Sequence, residues 1–391
     1  MIGVEEAKRI MMENVRLCSI RSEPLPQAVG RYVVDDAIRS PVDHPLFTCS
    51  AVDGYAFHFD ERQEWNVVVE IAAGGRSDEA LAPGECARIF TGAMLPVGAD
   101  TVVMQEFVRR DGGRMTHSDA RLRQGGNVRS QGEQLRAGTI VLRKGDVLSP
   151  QAIGALAGLG ITEVEVRTPP GVAVITSGTE FITGDQVLPG KIFSSNDIML
   201  LAALRKAGIQ AQASRCPDDA RLLGAAIGAA AQQADVVITT GGVSVGDHDL
   251  VLPVLQELGA EIRFHHVAQK PGKPMLFAML NGKPVFGLPG NPRAVMVLFW
   301  EYVLPYLRTM QGANDPWLRS DRLPMERSVQ LKGDRAEFRA ARVSEGRVTL
   351  LADEGSHMLR SLVDADAMAY FPSDVRLVSE GDPIEIHYLP G

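Results

Sequence analysis

Residues 235–249 read Asp-Val-Val-Ile-Thr-Thr-Gly-Gly-Val-Ser-Val-Gly-Asp-His-Asp, and this stretch decides the fold. Positions 236–240 form a short apolar run of β-branched residues, the composition of a strand buried on both faces. The run leads into Gly241-Gly242, a third glycine at Gly246, and the acidic residues Asp247 and Asp249. Leu250, Val251, Val254, Leu255 and Leu258 then fall on one helical face, and Gly259 closes that helix. An open α/β sheet binds phosphate through this order of strand, glycine turn and helix. The glycine amides approach the anion, and the helix N-terminus adds partial positive charge. The acidic side chains would repel a bare phosphate, so they fit a ligand that brings a divalent cation. The plainer reading is a strand-to-helix turn in which Asp249 is only a cap.

Working outward, Pro169-Pro170-Gly171 marks a boundary after which strands and helices alternate. The pattern predicts strands at 172–176, 209–214, 236–240 and 262–267. It predicts helices at 198–207, begun by Asn196 or Asp197, and from Asp218 or Asp219 to 232. Runs at 275–280 and 284–288 flank Asn281-Gly282, the signature of a type I′ hairpin, and a long helix follows over 292–310. The prediction is a three-layer α/β domain with a doubly wound sheet over 169–312. Its ligand should lie beyond the C-terminal ends of the strands.

Three more strand ends carry chemistry. The first presents Ser177-Gly178-Thr179-Glu180, hydroxyls and one carboxylate on a tight turn. The second is Lys270-Pro271-Gly272-Lys273-Pro274, in which two prolines restrain two lysines, so little entropy is lost when they meet an anion. The third is Gly287-Leu-Pro-Gly-Asn-Pro292, which opens into the long helix. Amide donors, two lysines and several carboxylates at one sheet edge suit a nucleotide or polyphosphate-like ligand with a divalent metal.

The remainder of the chain is β-rich. An amphipathic helix is expected within 1–17. Short β-type runs and glycine turns fill 41–128, a short helix falls at 151–159, and β patterning resumes after Trp317. The expected organisation is multi-domain, α/β plus β. An N-terminal helical and linker region comprises 1–40 and 129–168. A β-rich domain spans 41–128, the α/β domain 169–312, and a small C-terminal β-domain 313–391. The formal charge of −8 comes without a basic block, which argues against nucleic acid as a partner. Four scattered cysteines, at 18, 49, 86 and 216, suggest a reducing, cytoplasmic setting rather than a disulfide framework. No apolar run is long enough to span a membrane. His265 and His266 are adjacent in an expected strand, so they should point to opposite faces and form no two-histidine metal site. Met11 and Met12 read as core or dimer-contact packing.

The motifs Thr-Thr-Gly-Gly-Val-Ser-Val-Gly-Asp-His-Asp, Lys-Pro-Gly-Lys-Pro and Gly-Leu-Pro-Gly-Asn-Pro, in this order, resemble those of the molybdopterin molybdenumtransferases, the MoeA and gephyrin E-domain family. Cys49-Ser-Ala-Val-Asp-Gly-Tyr-Ala56, Phe90-Thr-Gly-Ala-Met-Leu-Pro-Val-Gly-Ala-Asp-Thr-Val-Val103 and Gly126-Asn-Val-Arg-Ser-Gln-Gly-Glu133 extend the resemblance across nearly the whole chain. The resemblance implies insertion of molybdate into adenylylated molybdopterin with release of AMP, assisted by Mg²⁺. It implies a homodimer whose cleft joins the α/β domain of one subunit to the β-rich domain of the other. Molybdopterin adenylyltransferase and molybdoenzyme-maturation proteins are the further partners it suggests.

Residue by residue, the resemblance assigns catalytic positions to Asp249, Glu180, Asp218, Asp53 and Thr91, with Asp249 and Glu180 as metal ligands. Substrate-binding positions are Gly241, Gly242, Ser244, Gly246, Lys270, Lys273, Pro289, Asn291 and Pro292. The chain departs from the family pattern at Thr179, where an aspartate is usual, at Gln134 and at Cys49 and Val52. His266 stands where a lysine is expected. Two other functions fit parts of the pattern: a molybdopterin adenylyltransferase, expected as a stand-alone α/β domain, and a non-catalytic molybdopterin-binding or scaffold protein.

Overall fold

Val236–Thr240 is a strand with every residue buried, as its composition predicts. Its side chains alternate between two cores. Val236 and Ile238 join Val172, Val174, Phe277 and Phe286 beneath Leu200, Leu204 and the 292–310 helical run. Val237 faces Ile175, Leu276 and Val285 on the other side, beneath Leu223, Ile227, Val251 and Val254. Apolar residues on both faces of one strand produce the helix–sheet–helix layering. The computed structural model describes residues 1–391 apart from 183–185, 244–248, 353–354, 356 and 391.

The chain forms two compact units, one of 1–34, 144–149 and 164–391, the other of 35–143 and 150–163. In the first, a six-stranded sheet runs in the order Ala211–Cys216, Val172–Ser177, Val236–Thr240, Lys283–Leu288, Leu276–Leu280, Glu261–His265. The first four strands are parallel. Two antiparallel pairings then return Glu261–His265 to the same direction, so His265 ends at the same edge as Ser177, Thr240 and Leu288. Asn281 and Gly282 have φ of 51° and 75°, the two positive values that a type I′ turn demands.

The helix predicted over 292–310 is continuous but not regular. Pro292–Leu298 and Leu304–Met310 are α-helical, and Phe299–Val303 between them is a π turn. Pro305 explains it, because it lacks the N–H that would bond the Glu301 carbonyl, so the hydrogen-bond ladder widens one turn earlier. The N-terminal helix is Val4–Glu13, shorter than predicted. Ten residues are too few for a stable helix alone, and burial of Val4 and Met11, about 1.5–3 kcal/mol each, holds it to the first core. Met11 is therefore a core residue.

A second sheet in this unit orders Gln269–Lys270, Ala336–Ser344, Ala367–Phe371, Pro383–Tyr388 and Ser320–Pro324, with Arg347–Leu350 paired to Ala336–Ser344. The other unit contains a six-stranded sheet in the order Thr101–Met104, Gly54–Phe57, Glu85–Ile89, Trp65–Ile71, Arg114–His117, Val108–Asp111. Phe57 and Trp65 centre its core, with ring centroids 4.4 Å apart. No helix among the described residues is long and apolar enough to cross a membrane.

Candidate active site

The C-terminal edge of the parallel strands opens into a cavity of about 1100 Å³. Tight backbone turns build its floor. Gly241 and Gly242 have φ of 88° and 64°, and a Cβ on Gly241 would lie 2.6 Å from the Ser177 carbonyl oxygen. Only glycine permits this approach of two strand ends. The expectation that the glycine amides face an anion needs correction at Gly241, whose N–H donates to the Leu288 carbonyl at 3.1 Å. Gly241 and Gly242 both line the cavity. Ser244 and Gly246 lie outside the described residues.

Glu180 and Asp218 face the cavity from the ends of adjacent strands. Asp219 rather than Asp218 caps the Ala220–Gln233 helix, accepting from the Leu222 amide at 2.8 Å. That leaves Asp218 to the cleft, where its Oδ2 accepts from the Thr179 amide at 3.3 Å. Glu180 folds back over Gly178, where a Cβ would lie 2.3 Å from its Oε2.

Lys270 and Lys273 line the opposite side. Lys270 is placed by strand pairing that sequence patterning did not reveal, with Gln269 opposite Ala336 and Lys270 opposite Glu337 in the second sheet. Gly272, at φ 93°, presses the loop onto the helical run, because a Cβ there would meet Leu298 at 2.8 Å. Neither lysine has an ion-pair partner among the described residues. Pro289, Asn291 and Pro292 complete this side, and Asn291 begins the helix without a side-chain cap bond.

Two buried polar atoms in the lining have no partner among the described residues: Ser177 Oγ and Asn196 Oδ1. The helix begins at Asn196, as read from sequence, with Ser195 at the cap position, and the Asn196 side chain makes no cap bond. The Asn196 Nδ2 instead donates to the Gly290 carbonyl at 2.8 Å. Arg335 and His357 also line the cavity and were not singled out by motif, since they enter from the region after Trp317.

Asp249 is not among the described residues of the lining. Its Oδ2 lies 3.7 Å from His265 Nε2, and its Oδ1 is buried without a partner among the described residues. Burial pushes the Asp249 carboxyl above its ordinary range, against the pull of His265 and the Leu252 and Val251 amides. Burial lowers His265 despite Asp249, so the imidazole is neutral at neutral pH. The prediction that His265 and His266 point apart fails. The strand ends at His265, and His266 takes φ 76°, which turns the rings into a stack at 3.8 Å. Among the described residues no group of three His, Cys, Asp or Glu could hold a metal ion.

Asp53 and Thr91 belong to the other compact unit. The Thr91 amide and hydroxyl both donate to Asp53 Oδ1, at 2.8 and 2.7 Å. These bonds hold the Asp53 carboxyl below its ordinary range. The flanking motifs also meet here. Cys49 pairs with Arg129 and Ser50 with Val128, while the Gly92 amide donates to the Ser50 carbonyl at 2.8 Å.

Lysine ammoniums and carboxylates in one lining, with hydroxyl and amide oxygens that have no partner among the described residues, can receive a polyanion and its divalent counterion. Comparison with known proteins gives three consecutive matches. These are the MoeA N-terminal region (domain I and II) over residues 2–160, a probable molybdopterin binding domain over 173–309, and the MoeA C-terminal region (domain IV) over 322–389. Molybdopterin molybdenumtransferase 2 of Mycobacterium tuberculosis (strain ATCC 25618 / H37Rv) is 33% identical, with 99% of each chain covered. The molybdopterin molybdenumtransferase of Nostoc sp. is 35% identical, covering 93% of this chain and 87% of that one. The molybdopterin biosynthesis MoeA protein of Pyrococcus horikoshii OT3 superposes over all of both chains at a TM-score of 0.83, with 28% identity.

Proposed function

The chain belongs to the MoeA family of molybdopterin molybdenumtransferases, enzymes of molybdenum cofactor biosynthesis, and from that premise we propose how its cleft works. The substrates are molybdate and adenylylated molybdopterin, and the products are molybdenum cofactor and AMP. The observation that carries this reading is that Lys270, Lys273, Glu180 and Asp218 all line one cavity. Its match to both terminal regions of the family sets it apart from a stand-alone adenylyltransferase domain.

Lys270 and Lys273 hold the anionic oxygens of molybdate and the pyrophosphate linkage, and neither has an ion-pair partner among the described residues to compete with that role. Ser177 Oγ and Asn196 Oδ1 gain partners from the pterin nucleotide. Mg²⁺ fits the donor set. Glu180 and Asp218 are hard oxygen donors in the cleft lining, and Mg²⁺ is usually held by one or two carboxylates with water and substrate phosphate; Asp249, beside His265 and outside the described lining, is a further candidate donor. When bound, Mg²⁺ neutralises charge on the pyrophosphate oxygens as AMP leaves. We assign Glu180 and Asp249 as direct ligands and Asp218 to ordering the leaving nucleotide.

Asp53 and Thr91 act in a homodimer, in which the β-rich domain of one copy completes the cleft of the other. The division into 1–40 with 129–168, 41–128, 169–312 and 313–391 is the proposed domain frame of that dimer; three six-stranded sheets support its three larger parts, with Gln269–Lys270 crossing from 169–312 into the C-terminal sheet. The charge and the free thiols at Cys18, Cys49, Cys86 and Cys216 agree with a cytoplasmic site of action, with molybdopterin adenylyltransferase upstream and molybdoenzyme-maturation proteins downstream. The test is metal analysis of pterin recovered after incubation with molybdate and adenylylated molybdopterin. Stoichiometric molybdenum in the pterin is expected. Pterin recovered without molybdenum would overturn the reading.

A further inference from the structure

Behind the lysine loop lies a buried hydrogen-bond chain that the mechanism above does not use. Gln269 precedes Lys270 and is fully buried, an unusual state for an amide. Its Nε2 donates to the Pro271 carbonyl at 2.9 Å, and its Oε1 accepts from the Tyr302 hydroxyl. The Pro271 oxygen can only accept, so it must face the NH₂ group. The amide is thereby fixed, and Tyr302 must donate. Tyr302 is also fully buried, and it sits in the π turn that Pro305 imposes. Its neighbour Glu301 is pinned by Lys8 Nζ at 2.9 Å and His387 Nδ1 at 2.7 Å, so this turn cannot swing away.

The Pro271 carbonyl belongs to the peptide that enters Gly272. Fixing its direction fixes the plane from which Gly272, at φ 93°, turns the chain toward Lys273. We propose that Gln269, held by Tyr302, is a positioning residue that sets the geometry of Lys270 and Lys273 for the anion. Gln269 belongs to the cavity lining, but both ends of its amide are engaged by Pro271 and Tyr302, so on this account it acts through the loop and not on substrate. The π turn has a purpose here, since it carries the tyrosine to the back of the loop, and π turns cluster at functional sites.

The inference rests on the proposed anion role of the lysines, so its test includes a readout independent of turnover. The variants are Gln269→Met, which removes both bonds at similar volume, Tyr302→Phe, which removes one, and the double variant. Hydrogen exchange of the peptide spanning 268–280, followed by mass spectrometry on the full chain, should speed up about tenfold in Gln269→Met and less in Tyr302→Phe. Exchange elsewhere should not change. In molybdate-dependent AMP release, the molybdate KM should rise about tenfold in Gln269→Met while kcat falls less, the signature of lost ground-state and transition-state binding together. The double variant should match Gln269→Met, because both changes break one chain. A general loss of structure would instead add the two effects and leave KM unmoved. Unchanged exchange at 268–280 overturns the inference, as does unchanged KM in an active enzyme. A wild-type protein without AMP release would sink the proposed function, and exchange alone would then decide the clamp.

Discussion

Replacing Asp249 by asparagine separates the two readings of the acidic end of the glycine turn. The change is nearly isosteric and removes only the charge. Three structural effects set its stability cost. Asparagine keeps its dipole toward the Val251 and Leu252 amides but loses the full charge there, worth about 0.3–1 kcal/mol at a helix start. The contact to His265 at 3.7 Å contributes little, because that imidazole is neutral at neutral pH. Burial disfavours the charge that is removed, which offsets part of the loss. The net is under ~1 kcal/mol, so the melting temperature should stay within about 2–4 °C of wild type. Binding of adenylylated molybdopterin should hold within about tenfold, since Lys270 and Lys273 are untouched. AMP release should fall at least ~100-fold, the order seen when one preorganised electrostatic contact is lost. The response to added Mg²⁺ should weaken as well. The assay is single-turnover AMP release across an Mg²⁺ series, with calorimetric binding alongside. Near-normal turnover in Asp249→Asn would refute the metal role and leave Asp249 as an acceptor for the Val251 and Leu252 amides one residue before the cap position at Leu250, with Glu180 and Asp218 as the acidic candidates.

Lys273→Met should weaken binding of the pterin nucleotide at least ~10-fold by calorimetry with an unchanged melting temperature, because the ammonium has no ion-pair partner to lose among the described residues. Thr91→Val removes one of the two bonds that depress the Asp53 carboxyl, so the Asp53 midpoint, read by NMR, should move up toward 3.8. Glu301 is held below 4.5 by His387 and Lys8 against burial, so its contribution is present above that value and lost as pH falls through its folded value. His387 is raised above 6.5 by Glu301 and Glu385 against burial, so its contribution is full below 6.5 and lost as pH rises through its folded value. The unfolding free-energy gap between wild type and His387→Gln, from denaturant titration, should therefore be widest between pH 4.5 and 6.5, at about 3–5 kcal/mol for a broken buried pair, and a gap independent of pH would contradict this. Light scattering should give twice 42.2 kDa at micromolar concentration, and a fully active monomer would remove Asp53 and Thr91 from the site.

What could be read from the sequence follows local rules. The alternation at Val236–Thr240, the Asn281-Gly282 turn and the prolines around Lys270 and Lys273 each act within a few residues, and each appears in the structure. What could not be read depends on distant partners. Gln269 and Lys270 pair with residues more than sixty positions away, so nothing local marks them as a strand. The Gly241 amide was assigned to a ligand because glycine turns often face one, but the Leu288 carbonyl on the neighbouring strand takes it. His265 and His266 were placed apart by strand periodicity, which stops applying one residue before His266. The π turn was legible in principle, since Pro305 inside a helical pattern demands a local break.

The central claim is that this cleft couples molybdate entry to loss of the nucleotide. The most direct measurement is AMP released by purified protein from adenylylated molybdopterin, with molybdate and Mg²⁺ each supplied or withheld. AMP appearing only when both are present, one per pterin, is the predicted result. No AMP under any condition, or AMP released equally without molybdate, would contradict it.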